Sequence, residues 1–319
     1  MRIARLVSAA SALALSSSGL AEEHSEAATC SVELVVLGAG QDAGAPQIGN
    51  AQDDGVRLLP SSLGLIDREA GTRYLFEATP AITEQLTALD RIEPPGQGLG
   101  LDGVFITHAH IGHYLGLAYF GREAAGAARV PVHVMPRMAE FLRENGPWDQ
   151  LVSLENITIR EMAEGAPVDL RDGLMVMPFA FPHRDEYSET VGFGIFTAEK
   201  RVLFLPDLDS WEAAIAMRGE DGDIRNAPSA FDYIFIDATF WDDNELGGRD
   251  MSEIPHPRVT ETMDLLADLS DKDRAKVRFI HYNHTNPVRD PASEESREVL
   301  GRGFNVARRG DRHCLAVGS

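Results

Sequence analysis

Cysteine occurs only twice in the 319 residues, as Cys30 and Cys314, and neither belongs to a C-x-x-C pair. That excludes a cysteine-built zinc knuckle and a disulfide-stapled small scaffold. A single bridge joining the two ends of the chain stays open, because spacing in sequence does not give separation in space. Basic residues are also scarce: 29 Lys and Arg stand against 50 Asp and Glu, a formal net charge of -21. Proteins that grip polynucleotides draw much of their affinity from phosphate neutralisation and carry a basic face, so this balance argues against a nucleic-acid partner. There is no low-complexity linker and no short-period repeat, which excludes a solenoid. A membrane-spanning run is missing too. The uncharged stretch from Leu6 to Leu20 is too short and too rich in serine to span a bilayer securely. With Arg2 and Arg5 before it, small residues at Gly19 and Ala21, and Glu22-Glu23 after it, the stretch reads instead as a secretory signal. The expected organisation is a signal peptide over 1–21, an extension over 22–30 and one domain over 31–319. The mature protein is then periplasmic or secreted, with no stable membrane insertion.

What is present is an ordinary globular composition, 44% hydrophobic and 25% charged, in which strands and helices alternate. Ser31 to Leu37 reads as a strand running into the glycine-rich loop Gly38-Ala39-Gly40-Gln41-Asp42-Ala43-Gly44. No amphipathic helix follows, so a dinucleotide-binding turn is excluded. Leu63 to Ile66 and Tyr74 to Phe76 suggest a hairpin about Glu69-Ala70-Gly71, and Pro80 to Leu89 a helix. Beyond the Pro/Gly loop at 94–100 the pattern predicts a strand at 104–107, a helix near 113–125, a strand at 130–134 and a helix at 136–144. Residues 157–181 read as β structure. A hairpin is expected between 191–196 and 202–205, followed by a strand at 233–236, a helix near 258–269, a strand at 277–281, a helix near 292–300 and a terminal hairpin about Arg309-Gly310-Asp311. Two sheets packed back to back with helices outside, an αββα sandwich, fit this order better than two domains.

The chemistry is concentrated in Thr107-His108-Ala109-His110-Ile111-Gly112-His113, three imidazoles at H-x-H-x-x-H spacing. In an extended segment side chains alternate faces, so His108 and His110 project to one side and can share an ion. His113 falls where strand gives way to helix, placed for a second ion beside the first. Further donors stand just past other strands: His183 after Phe181-Pro182, Asp207 after Leu205-Pro206, and His281 and His284 within Ile280-His281-Tyr282-Asn283-His284. Strand ends along one edge of a sheet converge, which lets these groups meet the first cluster. A zinc ion held by histidines and a carboxylate brings the pKa of bound water toward neutrality for attack on a carbonyl or phosphoryl centre.

These motifs resemble the metallo-β-lactamase superfamily, whose H-x-H-x-D-H run falls on His108, His110 and His113, with later ligands on His183, Asp207 and His281. The resemblance implies a four-layer αββα fold and one or two divalent ions, zinc or else manganese or iron. His108, His110 and His183 would hold one ion and His113 and His281 the other, with Asp207 between. The sequence departs from the pattern at Gly112, which stands where the superfamily carries aspartate. On this reading the substitution Gly112→Asp is expected to tighten the second ion. Within the superfamily, Asp237-Ala238-Thr239-Phe240-Trp241-Asp242-Asp243, Gly248-Arg249-Asp250-Met251 and His281 to Pro287 resemble the PqqB-like branch, the coenzyme PQQ synthesis proteins. The cysteine cluster of that branch is absent from residues 41–50.

The resulting expectation is an exported metal-dependent hydrolase of a small ester, lactone, amide or phosphodiester, with Asp207 orienting the attacking water. His284 is a candidate proton donor to the leaving group, or else a histidine bonded within the Asn283/Asn286 loop. Arg184 and Tyr187, in a polar loop after His183, are candidate substrate contacts. Asp237 is either a carboxylate orienting a ligand histidine or a capping or core polar group. Arg249 and Asp250 either pair with each other or face the pocket. His133 reads as structural, and His24, His256 and His313 have no partners nearby in sequence. Two alternatives remain: an iron-dependent oxidative enzyme of the PqqB type, and a non-catalytic carrier of a quinone cofactor.

Overall fold

Successive side chains of β1 (Cys30–Gly38) serve two different cores: Val32, Leu34 and Val36 pack into one, Val35 and Leu37 into the other. A strand buried on both faces lies inside a stack of layers, with another sheet on one side and helices on the other. The computed structural model describes residues 30–318. The segment read as a signal peptide, 1–21, and all of the 22–30 extension but Cys30 lie outside the described residues, as does His24.

The strands that follow are β2 (Ser62–Asp67), β3 (Thr72–Phe76), β4 (Gly103–Phe105), β5 (Val130–Val134), β6 (Ile157–Glu161), β7 (Val168–Arg171) and β8 (Leu174–Ala180). After them come β9 (Val191–Thr197), β10 (Arg201–Leu205), β11 (Tyr233–Asp237), β12 (Val277–Ile280), β13 (Asn305–Val306) and β14 (Arg312–Val317). They form two seven-stranded sheets, in the orders β14-β1-β2-β3-β4-β5-β6 and β13-β12-β11-β10-β9-β8-β7. Phe76 and Phe105 from the first sheet meet Phe193 and Phe204 from the second across the interface between them. On the outer face of the first sheet the helices Ile82–Ile92 and Pro136–Glu144 bury Leu89 and Leu142. Trp211, Met263 and Val299, on the helices Trp211–Arg218, Val259–Leu265 and Glu294–Gly301, are buried as part of the core that includes the second sheet. This is the metallo-β-lactamase sandwich that the sequence led us to expect. No helix among the described residues is long and apolar enough to cross a membrane.

Three expectations need correction. The helix expected over 113–125 is a single α-turn, Ile111–Tyr114, continued by a 3-10 segment, Leu115–Phe120. Here the chain passes so close to its neighbour that a Cβ on Gly116 would meet the carbonyl oxygen of Thr79 at 2.2 Å, while the Gly116 N–H donates to Ala78 at 2.8 Å. The terminal hairpin does not form: β13 pairs with β12 and β14 with β1, so the turn at 309–311 carries the chain from one sheet to the other. The helix after β11 covers Val259–Leu265 and is shorter than expected.

Cys30 and Cys314, on paired strands β1 and β14, are joined by a disulfide, with 5.6 Å between their Cα atoms. A bridge that closes a loop of 284 residues restricts the unfolded chain strongly. Cys30→Ser is expected to lower folding stability by about 2–5 kcal/mol in denaturant titrations. Reductant should shift the wild-type midpoint and leave that of the variant in place; equal midpoints for the two proteins would refute a stabilising role.

Candidate metal centre

Most groups in the centre lie at or just beyond the C-terminal end of a strand; His113, in the Ile111–Tyr114 turn, and His256, in the loop before the Val259–Leu265 helix, are the exceptions. In the first sheet β3 through β6 run parallel, and in the second β10 through β13 do, so within each sheet these ends share one edge. Glu77 follows β3, His108 and His110 follow β4, His183 follows β8, Asp207 follows β10, Asp237 ends β11 and His281 follows β12. The edges are stitched together where Gln41 N–H donates to Tyr282 O at 3.0 Å and Tyr282 N–H donates to Ala39 O at 3.0 Å. The 107–113 segment is held by donation from Ala109 N–H to Ser188 Oγ at 2.8 Å and from Thr107 N–H to Glu77 Oε2 at 3.3 Å.

Asp207 stands at the middle, with 2% of its surface exposed. Its Oδ2 lies 2.8 Å from His113 Nε2, 3.4 Å from His281 Nε2 and 3.5 Å from His108 Nε2. Its Oδ1 lies 3.8 Å from His183 Nε2 and 3.6 Å from His256 Nδ1. His108 Nε2 and His110 Nδ1 face each other at 2.8 Å. His108, His110 and His183 bring three ring nitrogens within 4.8 Å of one another, and His108, His113 and Asp207 form another such set.

A second ring of groups fixes the rings. Thr107 Oγ1 meets His108 Nδ1 at 2.9 Å, Glu77 Oε1 lies 3.3 Å from His113 Nδ1 and Asp209 Oδ1 lies 3.2 Å from His183 Nδ1. Thr239 Oγ1 is a hub, 2.7 Å from Asp237 Oδ1, 3.0 Å from His281 Nδ1 and 3.1 Å from His256 Nδ1. Hydroxyls at Nδ1 of His108 and His281, and carboxylates opposite Nδ1 of His113 and His183, leave Nε2 of these four rings aimed at the centre, as metal-ligating histidines require. His110 instead turns Nδ1 to His108, and His256 turns Nδ1 to Asp207. Electrostatics sort the imidazoles. Burial, reinforced by the neighbouring His113, pushes His108 well below its ordinary value and keeps it neutral. Burial acts on His113 in the same sense, but the Glu77 and Asp207 carboxylates outweigh it and hold that ring well above its ordinary value. Burial opposes the Asp207 charge, and the surrounding His281, His183 and His113 more than offset it, holding the carboxyl well below the usual range.

Nε2 of His183 and of His281 are buried without a hydrogen-bond partner, and His113 Nε2 and Asp207 Oδ2 have only each other, at 2.8 Å. Native interiors seldom leave such atoms unsatisfied, and buried imidazole nitrogens converging on a carboxylate fit a divalent cation.

The sequence-derived ligands His108, His110, His113, His183, Asp207 and His281 thus come together. Asp237 orients a histidine, but its direct partner is His256 Nδ1 at 2.7 Å. Sequence reasoning missed His256, which sits between Pro255 and Pro257 at φ 102° and is buried against Asp207. It also missed Glu77, Asp209 and Thr239. The proline-flanked histidine was the one local signal; the others follow strands with nothing in their spacing to mark them. His284 is not drawn into the cluster: its Nδ1 contacts Asn283 Oδ1 at 2.8 Å, the bonded-loop alternative of the sequence reading. Arg184 and Tyr187 are exposed on the loop that carries Glu186 to 3.2 Å from His110 Nε2, and Tyr187 leans on Phe141. Asp250 accepts from Ser252 N–H and does not pair with Arg249. His133 stacks on Phe105 with ring centroids 4.5 Å apart, and burial pushes it down to about 4, in keeping with a structural role.

Thr239→Val keeps the side-chain volume and removes the hub. It is expected to weaken metal binding by about 10–100-fold while leaving the circular-dichroism spectrum unchanged. An unaltered zinc titration would show that the hub does not orient the ligands.

Comparison with known proteins agrees with this fold. The sequence profile of the beta-lactamase superfamily domain matches residues 72–282. Coenzyme PQQ synthesis protein B of Ruegeria pomeroyi is 28% identical over 301 residues, 88% of this chain and 98% of that protein. The protein of the same name from Xanthomonas axonopodis pv. citri is 24% identical over 310 residues, with the same shares covered. Among solved structures, zinc-bound PqqB from Methylobacterium extorquens aligns with a TM-score of 0.72 at 22% identity, over 88% of this chain and 99% of that one. A diphosphatase from the PhnP family aligns with a TM-score of 0.61 at 21% identity, over 88% and 96%. At these identities the structural likenesses bear on the fold, while the profile spans most of the domain that carries the donors. The chain belongs to the beta-lactamase superfamily, with coenzyme PQQ synthesis proteins B among its full-length relatives.

Proposed function

We propose that this protein is an exported metal-dependent hydrolase that cleaves a small ester, lactone, amide or phosphodiester. The observation that carries the reading is the set of buried, unpartnered imidazole nitrogens disposed about Asp207. His108, His110 and His183 would hold one divalent cation, zinc or else manganese or iron, and His113 and His281 would face another across Asp207. A cation bound there supplies Lewis acidity and acidifies water. The protein's own part is to keep His108 neutral, to hold His108 and His281 by Nδ1 and to fix the Asp207 carboxylate between the two groups of rings. Arg184 and Tyr187, exposed on the loop that brings Glu186 to His110, are assigned to contact the substrate. Export is supported by the basic, apolar and small-residue pattern of residues 1–21 and by the disulfide, a bond that persists in oxidising compartments. The net charge of -21 speaks against a polynucleotide substrate.

Two imidazoles compete to protonate the leaving group. His284 has its Nδ1 engaged by Asn283, whereas His256 abuts Asp207. Burial pulls His256 down, but the Asp237 and Asp207 carboxylates prevail and raise it, which favours a ring that carries a proton to give. The named relatives support a second reading, a role in coenzyme PQQ synthesis, for which an iron-dependent oxidative activity is the alternative chemistry.

Elemental analysis of protein purified without chelator separates these readings: zinc or manganese accords with hydrolysis, and stoichiometric iron with the oxidative role. On a panel of nitrophenyl esters, lactones and phosphodiesters, activity is expected to vanish on chelation and return with metal. His108→Ala and Asp207→Ala should each lower kcat/KM by more than about 100-fold, beyond the loss typical of changes outside the ligand shell. Full activity in both variants would refute the assignment. His256→Ala should slow substrates with poor leaving groups far more than nitrophenyl substrates; if His284→Ala alone does so, the proton donor is His284.

A further inference from the structure

The superfamily pattern asks for a carboxylate at position 112, and this chain has glycine there. The structure shows what fills the space. A Cβ built on Gly112 would meet the Cα of Asp42 at 2.5 Å and its Oδ1 at 2.6 Å. Asp42 comes from the glycine-rich loop after β1, far away in sequence and on a different strand end. Its carboxylate faces the half of the centre served by His113, His281 and the shared Asp207: Oδ1 lies 3.9 Å from His113 Nε2, and Asp42, His113 and His281 bring three ligand atoms within 4.8 Å of one another. His113 and His281 are each 1% exposed; His281 Nε2 is without a hydrogen-bond partner, and His113 Nε2 faces only Asp207 Oδ2 and Asp42 Oδ1.

The loop is built to hold Asp42 there. Gln41 N–H donates to Tyr282 O, next to His281, and Gly44 N–H closes a tight turn onto Gln41 O at 2.7 Å. Asp42 itself has φ 32°, in the left-handed region that non-glycine residues seldom occupy. Such backbone strain persists where the surroundings over-determine it, and it gathers at functional sites.

We propose that Asp42 supplies, from the loop after the first strand, the carboxylate that Gly112 cannot, completing a second divalent-cation site with His113, His281 and Asp207. The proposal rests on the reading of the centre as metal-binding. Glycine at 112 is then a requirement of the site, since any larger residue would push against Asp42. The sequence-based expectation that aspartate at position 112 would tighten the second ion is reversed: it collides with both the backbone and the carboxylate of Asp42.

Zinc titration against a chromophoric chelator, with metal counted by elemental analysis, provides the test on the mature protein. Wild type is expected to bind two zinc ions. Asp42→Asn, nearly the same size, should retain the first and weaken the second by more than about tenfold. Gly112→Ala, whose Cβ would strike the Asp42 Cα and Oδ1, should weaken the second ion as well while the first ion and the circular-dichroism spectrum stay unchanged, a pattern that general misfolding would not produce. Two ions bound with unchanged affinity in Asp42→Asn would overturn the assignment of Asp42 and leave the metal reading standing. A wild type that binds one ion would overturn the second site, and one that binds none would overturn both that site and the metal reading.

Discussion

A carboxylate taken almost wholly out of water, Asp207, sets the terms for the rest of the structure. An unpaired buried charge costs several kcal/mol, and it is tolerated only where opposite charge or hydrogen-bond donors surround it. Five imidazoles stand within 3.8 Å of its two oxygens, and they come from both sheets and from the loop before the Val259–Leu265 helix. No single element could supply them. The requirement therefore reaches back to the topology: two sheets must present their strand ends at one edge, and the loops leaving those ends must be short enough to hold each ring in place. The apolar alternation in β1 and the aromatic contacts between the sheets are what keep the edges together.

The outer contacts answer the same constraint one layer out. A ring that offers Nε2 to the centre must be held at Nδ1, and each holder here is matched to its position. Thr107 and Thr239 contribute hydroxyls, which both donate and accept and so suit rings of either tautomer. Glu77 and Asp209 contribute carboxylates. Glu77 is fully buried, and burial raises its pKa despite the nearby His113; the two groups are therefore balanced against each other and not merely placed side by side.

Much of the fold was legible because its signals are local. The apolar run of Ser31–Leu37, the proline that opens the Pro136–Glu144 helix and the Glu199-Lys200 turn between β9 and β10 each specify structure within a few residues. The terminal hairpin misled because Gly310 does make a turn, at φ 95°, but which sheet each flanking strand joins is decided by partners far away in the chain. The helix after His113 misled for the same reason: the approach of Gly116 to Thr79 is a tertiary fact. The site divides likewise. His108, His110 and His113 announce themselves by spacing, and His183, Asp207 and His281 by standing after apolar strands. Asp42, Glu77, Asp209 and His256 are single residues that become site residues only when separate strand ends meet.

Gly112 shows how a motif can mislead by being read along the chain alone. Taken as a run of letters, it marks a lost ligand and a weakened second ion. In three dimensions what matters is a point in space occupied by a carboxylate, and the chain can fill that point from any loop that reaches it. Asp42 reaches it from β1, and its Oδ1 lies where a side chain at 112 would have to pass. The two positions are coupled by exclusion: with the loop after β1 where it stands, its backbone and the Asp42 carboxylate leave no room for a side chain at 112. A departure from a family pattern is therefore weak evidence of lost function until the volume it vacates has been examined, and a glycine whose missing Cβ would strike a carboxylate oxygen is better read as making room for a ligand than as the absence of one.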